Sequence, residues 1–479
     1  MIMRNFRIPS FGAAVKPLPG ALALLLAGCA TFSADGGMDA VSGLTQERIG
    51  QGVSRQRSPD DAAAIRPTID QLLAQPLTAD AAVRIALLNN RGLQAALADL
   101  GAAEADFVQA GRLRNPGFSF GRLRGGDGVE IERELSFDFA GLLTLPLRSG
   151  IERRRFEQAK LQAASQAVRL AGETRKAYFR AVAAHQTARY MEQVADAAEA
   201  SAELARRMAR VGNWSKLNQV REEAFHAETM AQVAHARHAA VAAREQLTRL
   251  LGLWGADTAF ALPERLPDLP ATPGAATDIE AQAIAQRLDI RMAQRDAEAT
   301  AGALGLTKAT GFINVLDAGY MNKSETGEAR ANGYEISLEL PLFDWSGARV
   351  AKAEALYMRS VHHAADVAVR ARSEVREAWS AYRTAYDLAK HYRDEIVPLR
   401  KKISDEVLLR YNGMLISVFE LLADAREQIG SVNAAIEAQR DFWLAETELQ
   451  AAIKGGGTTL ETRVGSVAAP TASTAAGGH

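Results

Sequence analysis

One long pattern is written twice in this chain, and it restricts the possible folds more than any other feature. Between Gly150 and Ala209 there is no proline and a single glycine, Gly172. A helix over that stretch holds roughly 60 residues and reaches ~90 Å at 1.5 Å per residue. A turn at Gly212 follows, and a partner arm runs from Lys216 to Leu253. The second stretch, Gly347 to Tyr411, is interrupted only by Pro398, turns at Gly413, and returns from Ser417 to Ile453. The two turns lie 201 residues apart (413 − 212). A repeat of this size makes each half the structural counterpart of the other. Helices of this length exceed what a globular domain needs, so they must span a distance. Composition agrees: 48% of residues are hydrophobic but only 6% aromatic. The apolar share is dominated by Ala and Leu, which favour close-packed helices over a compact aromatic core.

Each hairpin is preceded by an opening helix and an extended region. The first copy opens at Leu77-Thr78-Ala79-Asp80, a cap before Ala82, Ile85, Ala86, Leu93 and Leu97. The second opens at Asp278-Ile279, with Ala283, Ile284, Leu288, Ile290 and Met292 in the same rhythm. Strands are expected over Pro116–Arg124 and Val129–Phe139, flanking Gly125-Gly126-Asp127-Gly128. A second pair is expected over Phe312–Lys323 and Gly333–Leu340, around the polar loop Ser324–Asn332. In Val129–Phe139, the residues Val129, Ile131, Leu135 and Phe137 fall on one face, and Glu130, Glu132, Glu134, Ser136 and Asp138 on the other. Tyr334, Ile336, Leu338 and Leu340 alternate in the same way with Glu335, Ser337 and Glu339. Strands of ~9–11 residues with one apolar and one acidic face suit a membrane barrel with a watery lumen. A soluble sheet with one wet face fits any single strand equally well. Arg133 shares the apolar face, which places it near a headgroup. Four strands cannot close a barrel, and an open edge cannot sit in lipid, so a membrane reading requires several chains.

The termini read as separate objects. Arg4, Arg7 and Lys16 precede the short apolar run Ala21–Leu26, and Leu26-Ala27-Gly28-Cys29 follows at once. The run is too short to cross a bilayer and reads as an export signal over residues 1–28. Small residues before Cys29 look like a lipobox, with Cys29 lipidated as the mature N-terminus. It is the only cysteine, which excludes a disulfide framework. Residues 29–76 hold Pro59, Pro67 and Pro76 and are expected to form a tether with little periodicity. Residues 456–479 are rich in Gly, Ala, Thr and Ser and are expected to be disordered.

These features together resemble the TolC-type outer-membrane efflux proteins, and the lipobox suggests their lipoprotein branch. The likeness runs from about Leu77 to Gly455, as a first repeat over 77–270 and a second over 271–455. Leu77–Ala82 looks like the family's opening helix, and Glu339-Leu340-Pro341-Leu342-Phe343-Asp344 like its strand-to-helix junction. Leu145-Pro146-Leu147 is a weaker first-half version of that junction. Val211–Leu217 and Tyr411–Ser417 look like the two periplasmic tip turns, and Glu420–Ala425 like the acidic segment that follows the second. The resemblance implies a mainly α fold with a small β part. It also implies a homotrimer whose twelve strands close one membrane β-barrel, continued by a periplasmic α-helical barrel. Function is then passive conduction of small toxic solutes, metal cations or drugs, from an inner-membrane pump through an adaptor protein. The chain would be lipid-anchored in the outer membrane, which Ala30 after Cys29 favours.

Residue roles follow from the same likeness. Gly212, Asn213 and Trp214 at one tip, and Gly413, Met414 and Leu415 at the other, are expected to dock the adaptor. The two glycines suit positive φ or tight reversal, and Trp214 and Met414 are expected to be exposed. Glu420 and Asp424 are the candidates for a cation-favouring periplasmic aperture. Asp424 is displaced by one residue from the usual spacing, which rotates a helical side chain by about 100°.

No catalytic constellation, cofactor fingerprint or metal site stands out. His235 and His238 lie three apart with His226 nearby, and His362-His363 are adjacent, but no convincing ligand set accompanies them. Lys plus Arg (56) nearly balances Asp plus Glu (57), so nothing draws the chain toward nucleic acid. The rival readings are a periplasmic adaptor and a structural coiled-coil envelope lipoprotein. An adaptor carries one hairpin between β-rich halves, and a coiled-coil lipoprotein has no need of four alternating strands.

Overall fold

The computed structural model describes residues 31–125, 128–275, 277–310, 316–338 and 343–455. The proposed signal peptide, Cys29, the 456–479 tail and residues 339–342 of the expected second junction lie outside them.

Residues 31–76 contain more helix than a tether with little periodicity would. They contain α1 (Met38–Ile49) and α2 (Pro59–Leu73). Pro59 begins a helix here instead of ending one. It takes an early position where its missing N–H costs nothing, directly after a reciprocal capping box. Ser58 Oγ accepts the Asp61 N–H at 3.2 Å, and the Asp61 carboxylate accepts the Ser58 N–H at 3.0 Å.

The two opening helices share a break that the sequence pattern did not reveal. In the first repeat, α3 (Ala79–Asn89) is capped by Thr78, bends at extended Asn90, and continues as α4 (Arg91–Ala110). In the second, α7 (Ile279–Gln286) breaks at extended Arg287 before α8 (Leu288–Ala309). The break residues hold the carbonyls at the end of the returning hairpin arm. Asn89 Nδ2 donates to the Leu251 and Gly252 oxygens at 3.1 and 2.7 Å, and Asn90 Nδ2 to Leu250 at 2.9 Å. Arg287 Nη1 donates to Ala452 at 3.2 Å. Helix C-termini leave such carbonyls without partners, and a donor or cation there is stabilising. Arg287 is 1% exposed and also pairs with Asp289 at 2.6 Å and Glu374 at 2.7 Å.

The hairpins are α5 (Phe139–Arg210) with α6 (Lys216–Leu251), and α9 (Gly347–His391) plus α10 (Val397–Asn412) with α11 (Val418–Lys454). Helix α5 has 72 residues, ~108 Å at 1.5 Å per residue. It starts at Phe139, so Leu145-Pro146-Leu147 lies inside a helix and not at a strand junction. Pro398 does not end the second long helix. Its ring and missing N–H disturb the preceding turn, where Tyr392–Ile396 widens into a π turn and the Val397 N–H reaches back to Tyr392.

The chain divides into two compact units. One comprises 95–163, 292–364 and the described residues up to Val41; the other comprises 42–94, 164–291 and the chain from Ala365. The first holds the sheet: β1 (Gly117–Gly125), β2 (Gly128–Asp138), β3 (Leu316–Glu325) and β4 (Ala331–Leu338), antiparallel in that order. The second holds the larger core, and here composition misled. That core contains one aromatic knot, with Phe179 stacked on Trp443 at 5.2 Å and Phe442 touching Tyr382 and Tyr386 at 5.6 and 5.7 Å. Trp443, half-buried, donates its Nε1–H to the Pro267 oxygen at 3.0 Å.

Candidate channel elements: the sheet and the hairpin tips

Register sorts every strand residue onto one of two faces, because directly opposed residues of antiparallel strands share a face. Phe118 opposes Leu135, which opposes Tyr320, which opposes Tyr334. That row is wholly apolar or aromatic. Phe137, Ala318 and Ile336 form the next row away from the hairpin loops, and Leu316 and Leu338 the one beyond. The opposite face carries Glu130, Glu132, Glu134, Asp138, Asp317, Glu325 and Glu335 against a single base, Lys323, which pairs with Glu130. Among the described residues nothing covers the apolar face: Phe118 is 68% exposed and Tyr334 84%. Soluble proteins do not leave such a surface in water.

Toward the loops the apolar face changes character. Phe120 opposes Arg133, which opposes Asn322, which opposes Asn332. Arg133 Nη1 donates to Asn322 Oδ1 at 3.0 Å, and Asn322 Nδ2 to Asn332 Oδ1 at 2.7 Å. Arg133 therefore stands at the polar end of the face, as the expected headgroup position requires. At the other end, Phe139 and Leu143 on α5, and Phe343 and Trp345 before α9, are exposed. Exposed aromatics beside an apolar band are the usual dressing of a membrane interface.

The two tips are built to one plan, but its register differs from the sequence expectation. At the first, the Asn213 N–H bonds the Met208 oxygen and the Gly212 N–H bonds Ala209, with Gly212 at φ +77°. This is the Schellman closure, which requires a left-handed residue. At the second tip the Leu415 and Met414 N–H groups bond Arg410 and Tyr411, and Met414 at φ +57° takes the left-handed position. Gly413 is at φ −81° and does not use its freedom. The structural equivalent of Gly212 is thus Met414, an offset of 202 (414 − 212). Both turns then reach a serine cap, Ser215 and Ser417, again 202 apart (417 − 215).

Met414 and Leu415 are among the most exposed apolar side chains, at 93% and 77%. Trp214, expected to be exposed, is half-buried, while Val211, Leu217 and Phe419 add to the exposed apolar surface. Val211 and Leu217 bound the first turn, and Phe419 lies in the first turn of α11.

The acidic pair separates. Glu420 is exposed at the third position of α11 and joins the Ser417 cap: its N–H donates to Ser417 Oγ at 3.4 Å, and that hydroxyl donates to Glu420 Oε1 at 3.3 Å. Asp424 is 9% exposed, and its Oδ2 has no partner among the described residues. The one-residue displacement turns it inward. A third acid, Glu222, is 1% exposed near the first tip and accepts the Ser201 hydroxyl at 2.8 Å. Burial pushes its carboxyl up, and the Ser201 bond opposes this in part. Arg221 lies over Phe419 at 5.2 Å and Arg426 over Phe225 at 5.5 Å, clamping α6 to α11. Among the described residues, no three His, Cys, Asp or Glu side chains are grouped to hold a metal ion.

Among solved structures, the chain is similar to the CmeC outer membrane channel of Campylobacter jejuni at 14% identity, covering 96% of this chain and 95% of that one with a TM-score of 0.65. It is similar to the open state of the MtrE outer membrane channel of Neisseria gonorrhoeae at 17% identity, covering 79% and 90% with a TM-score of 0.64. CusC, described for its folding and transmembrane channel formation, matches at 18% identity over 79% and 92% with a TM-score of 0.66. The fold is the outer-membrane channel fold. No protein-family model matches the sequence, and neither does any curated protein. The match extends over 90% or more of each of these neighbours' length. Among the described residues, no helix is long and apolar enough to cross a membrane.

Proposed function

We propose that the chain is one subunit of an outer-membrane efflux channel that conducts small toxic solutes passively to the exterior. The observation that carries this reading is the sheet: one uncovered face is apolar, the other acidic, and β1 and β4 have no second neighbour among the described residues. Unpaired edges cannot face lipid. Pairing β4 of one copy with β1 of the next removes every edge. Three copies give a twelve-stranded barrel, within the even-numbered range of such barrels. The apolar face then meets lipid and the acidic face lines the lumen, where it favours cations, metal or organic, over anions.

The helices continue the duct through the periplasm, and the exposed Met414, Leu415 and Val211 at the tips suit an adaptor that hands over solute from an inner-membrane pump. Cys29 is the proposed lipid attachment point and anchors the assembly from its periplasmic side. Purified full-length protein should insert into planar bilayers as a trimer with cation-selective conductance. A protein that stays monomeric and silent would overturn the channel reading.

A further inference from the structure

The three arginines on the apolar sheet face all lie toward the hairpin loops. Register places Arg124 opposite Val129, Arg122 opposite Ile131, and Phe120 opposite Arg133. They therefore occupy three successive rows of one face, spaced by ~6.8 Å, twice the strand rise. No acid shares that face on any of the four strands; the acids of β2, β3 and β4 all point the other way. Arg122 and Arg124 are exposed and have no ion-pair or hydrogen-bond partner among the described residues, and Arg133 is held only by neutral Asn322. The row immediately below is the aromatic one, Phe118 to Tyr334. A guanidinium in that position has its stem against hydrocarbon and its fork at headgroup height, where phosphate is the anion within reach.

We propose that Arg122, Arg124 and Arg133 form a docking surface for phosphate-bearing lipid in the leaflet on the hairpin-loop side of the membrane. This rests on the barrel reading above, since the face meets lipid only if the sheet spans. The occupant is lipid and not free phosphate, because the arginines are continuous with the apolar band that acyl chains would cover. Each charge is worth roughly fivefold in affinity for an anionic lipid surface, so the three together are worth on the order of a hundredfold.

Full-length protein in detergent is titrated with dioleoyl phosphatidic acid or with its uncharged analogue dioleoylglycerol, and bound lipid is counted by native mass spectrometry. Wild type is expected to hold phosphatidic acid on the order of a hundredfold more tightly than a variant carrying Arg122→Gln, Arg124→Gln and Arg133→Gln. The three-lysine variant, which keeps the charge, should retain most of that preference. Equal retention by wild type and the glutamine variant, or no preference over dioleoylglycerol, refutes the surface. Displacement of the lipid by millimolar inorganic phosphate refutes lipid as the occupant. Conductance of the same wild-type sample separates the failures. A conducting protein without lipid preference sinks only this inference, whereas a silent one removes the barrel on which it rests.

Discussion

Replacing Arg287 with methionine tests how the second repeat is closed. The guanidinium is buried and joins three groups: Asp289 through two bonds of 3.0 and 2.6 Å, Glu374 at 2.7 Å, and the Ala452 carbonyl at 3.2 Å. Burial pulls the guanidinium down, but Asp289 and Glu374 outweigh it and hold it above its ordinary range. It therefore remains charged at every accessible pH. Methionine fills a similar volume but leaves two partly buried carboxylates 24% and 26% exposed without their counter-ion. It also orphans a helix-end carbonyl. Breaking a buried pair from one side costs about 3–5 kcal/mol, most of it the desolvation of what remains. Partial exposure of both acids favours the lower end, so Arg287→Met should cost about 3 kcal/mol. The measurement is denaturant unfolding of the detergent-solubilised protein followed by circular dichroism, or the unfolding rate where refolding fails. A variant that also carries Glu374→Leu should recover part of the loss, because one stranded charge is gone. A single variant within ~0.5 kcal/mol of wild type would refute the view that this node locks the break to the returning arm.

Three further outcomes are expected. Met414→Gly relieves a left-handed backbone that costs a side-chain-bearing residue about 1 kcal/mol, so it should stabilise the protein by up to that amount, while Gly413→Ala should be nearly neutral; hydrogen exchange at the second tip checks both. Glu222 has a raised carboxyl, so its favourable contribution is full below the ordinary glutamate range and fades as pH rises through its folded value; Glu222→Gln should therefore gain stability over wild type at neutral pH and lose that advantage in acid, read from unfolding midpoints across pH. Glu420→Gln should lower cation-over-anion permeability in bilayers while keeping its cap, whereas Asp424→Asn, being buried, should leave the permeability ratio unchanged; a shift from Asp424→Asn and none from Glu420→Gln would reverse the assignment.

Much of the candidate site was legible because its signals are local. Period-two alternation in Val129–Phe139 needs no partner to be read, and pairing then placed those residues on the expected faces. The tips were legible to within a residue for the same reason, but of the two glycines suited to positive φ or tight reversal only Gly212 takes positive φ; at the second tip Met414 holds that position. A glycine announces freedom and not its use, and closure geometry assigned the strain to its neighbour. The tether went wrong through Pro59, since proline begins helices as readily as it ends them.

By itself, the sequence determined the duplication, the long hairpins, the four strands and the apolar and acidic faces of β2 and β4, all of which follow from periodicity and spacing along one segment. Tertiary structure alone decided the rest. Arg287 became a buried node because Glu374 and Ala452, far away in the chain, pack around it. Asp424 is buried while Glu420 stays exposed, because what packs against α11 covers one side of the helix and not the other. The loop-end arginines became one surface only through register, since β1 and β2 each carry part of it and pairing alone sets them side by side.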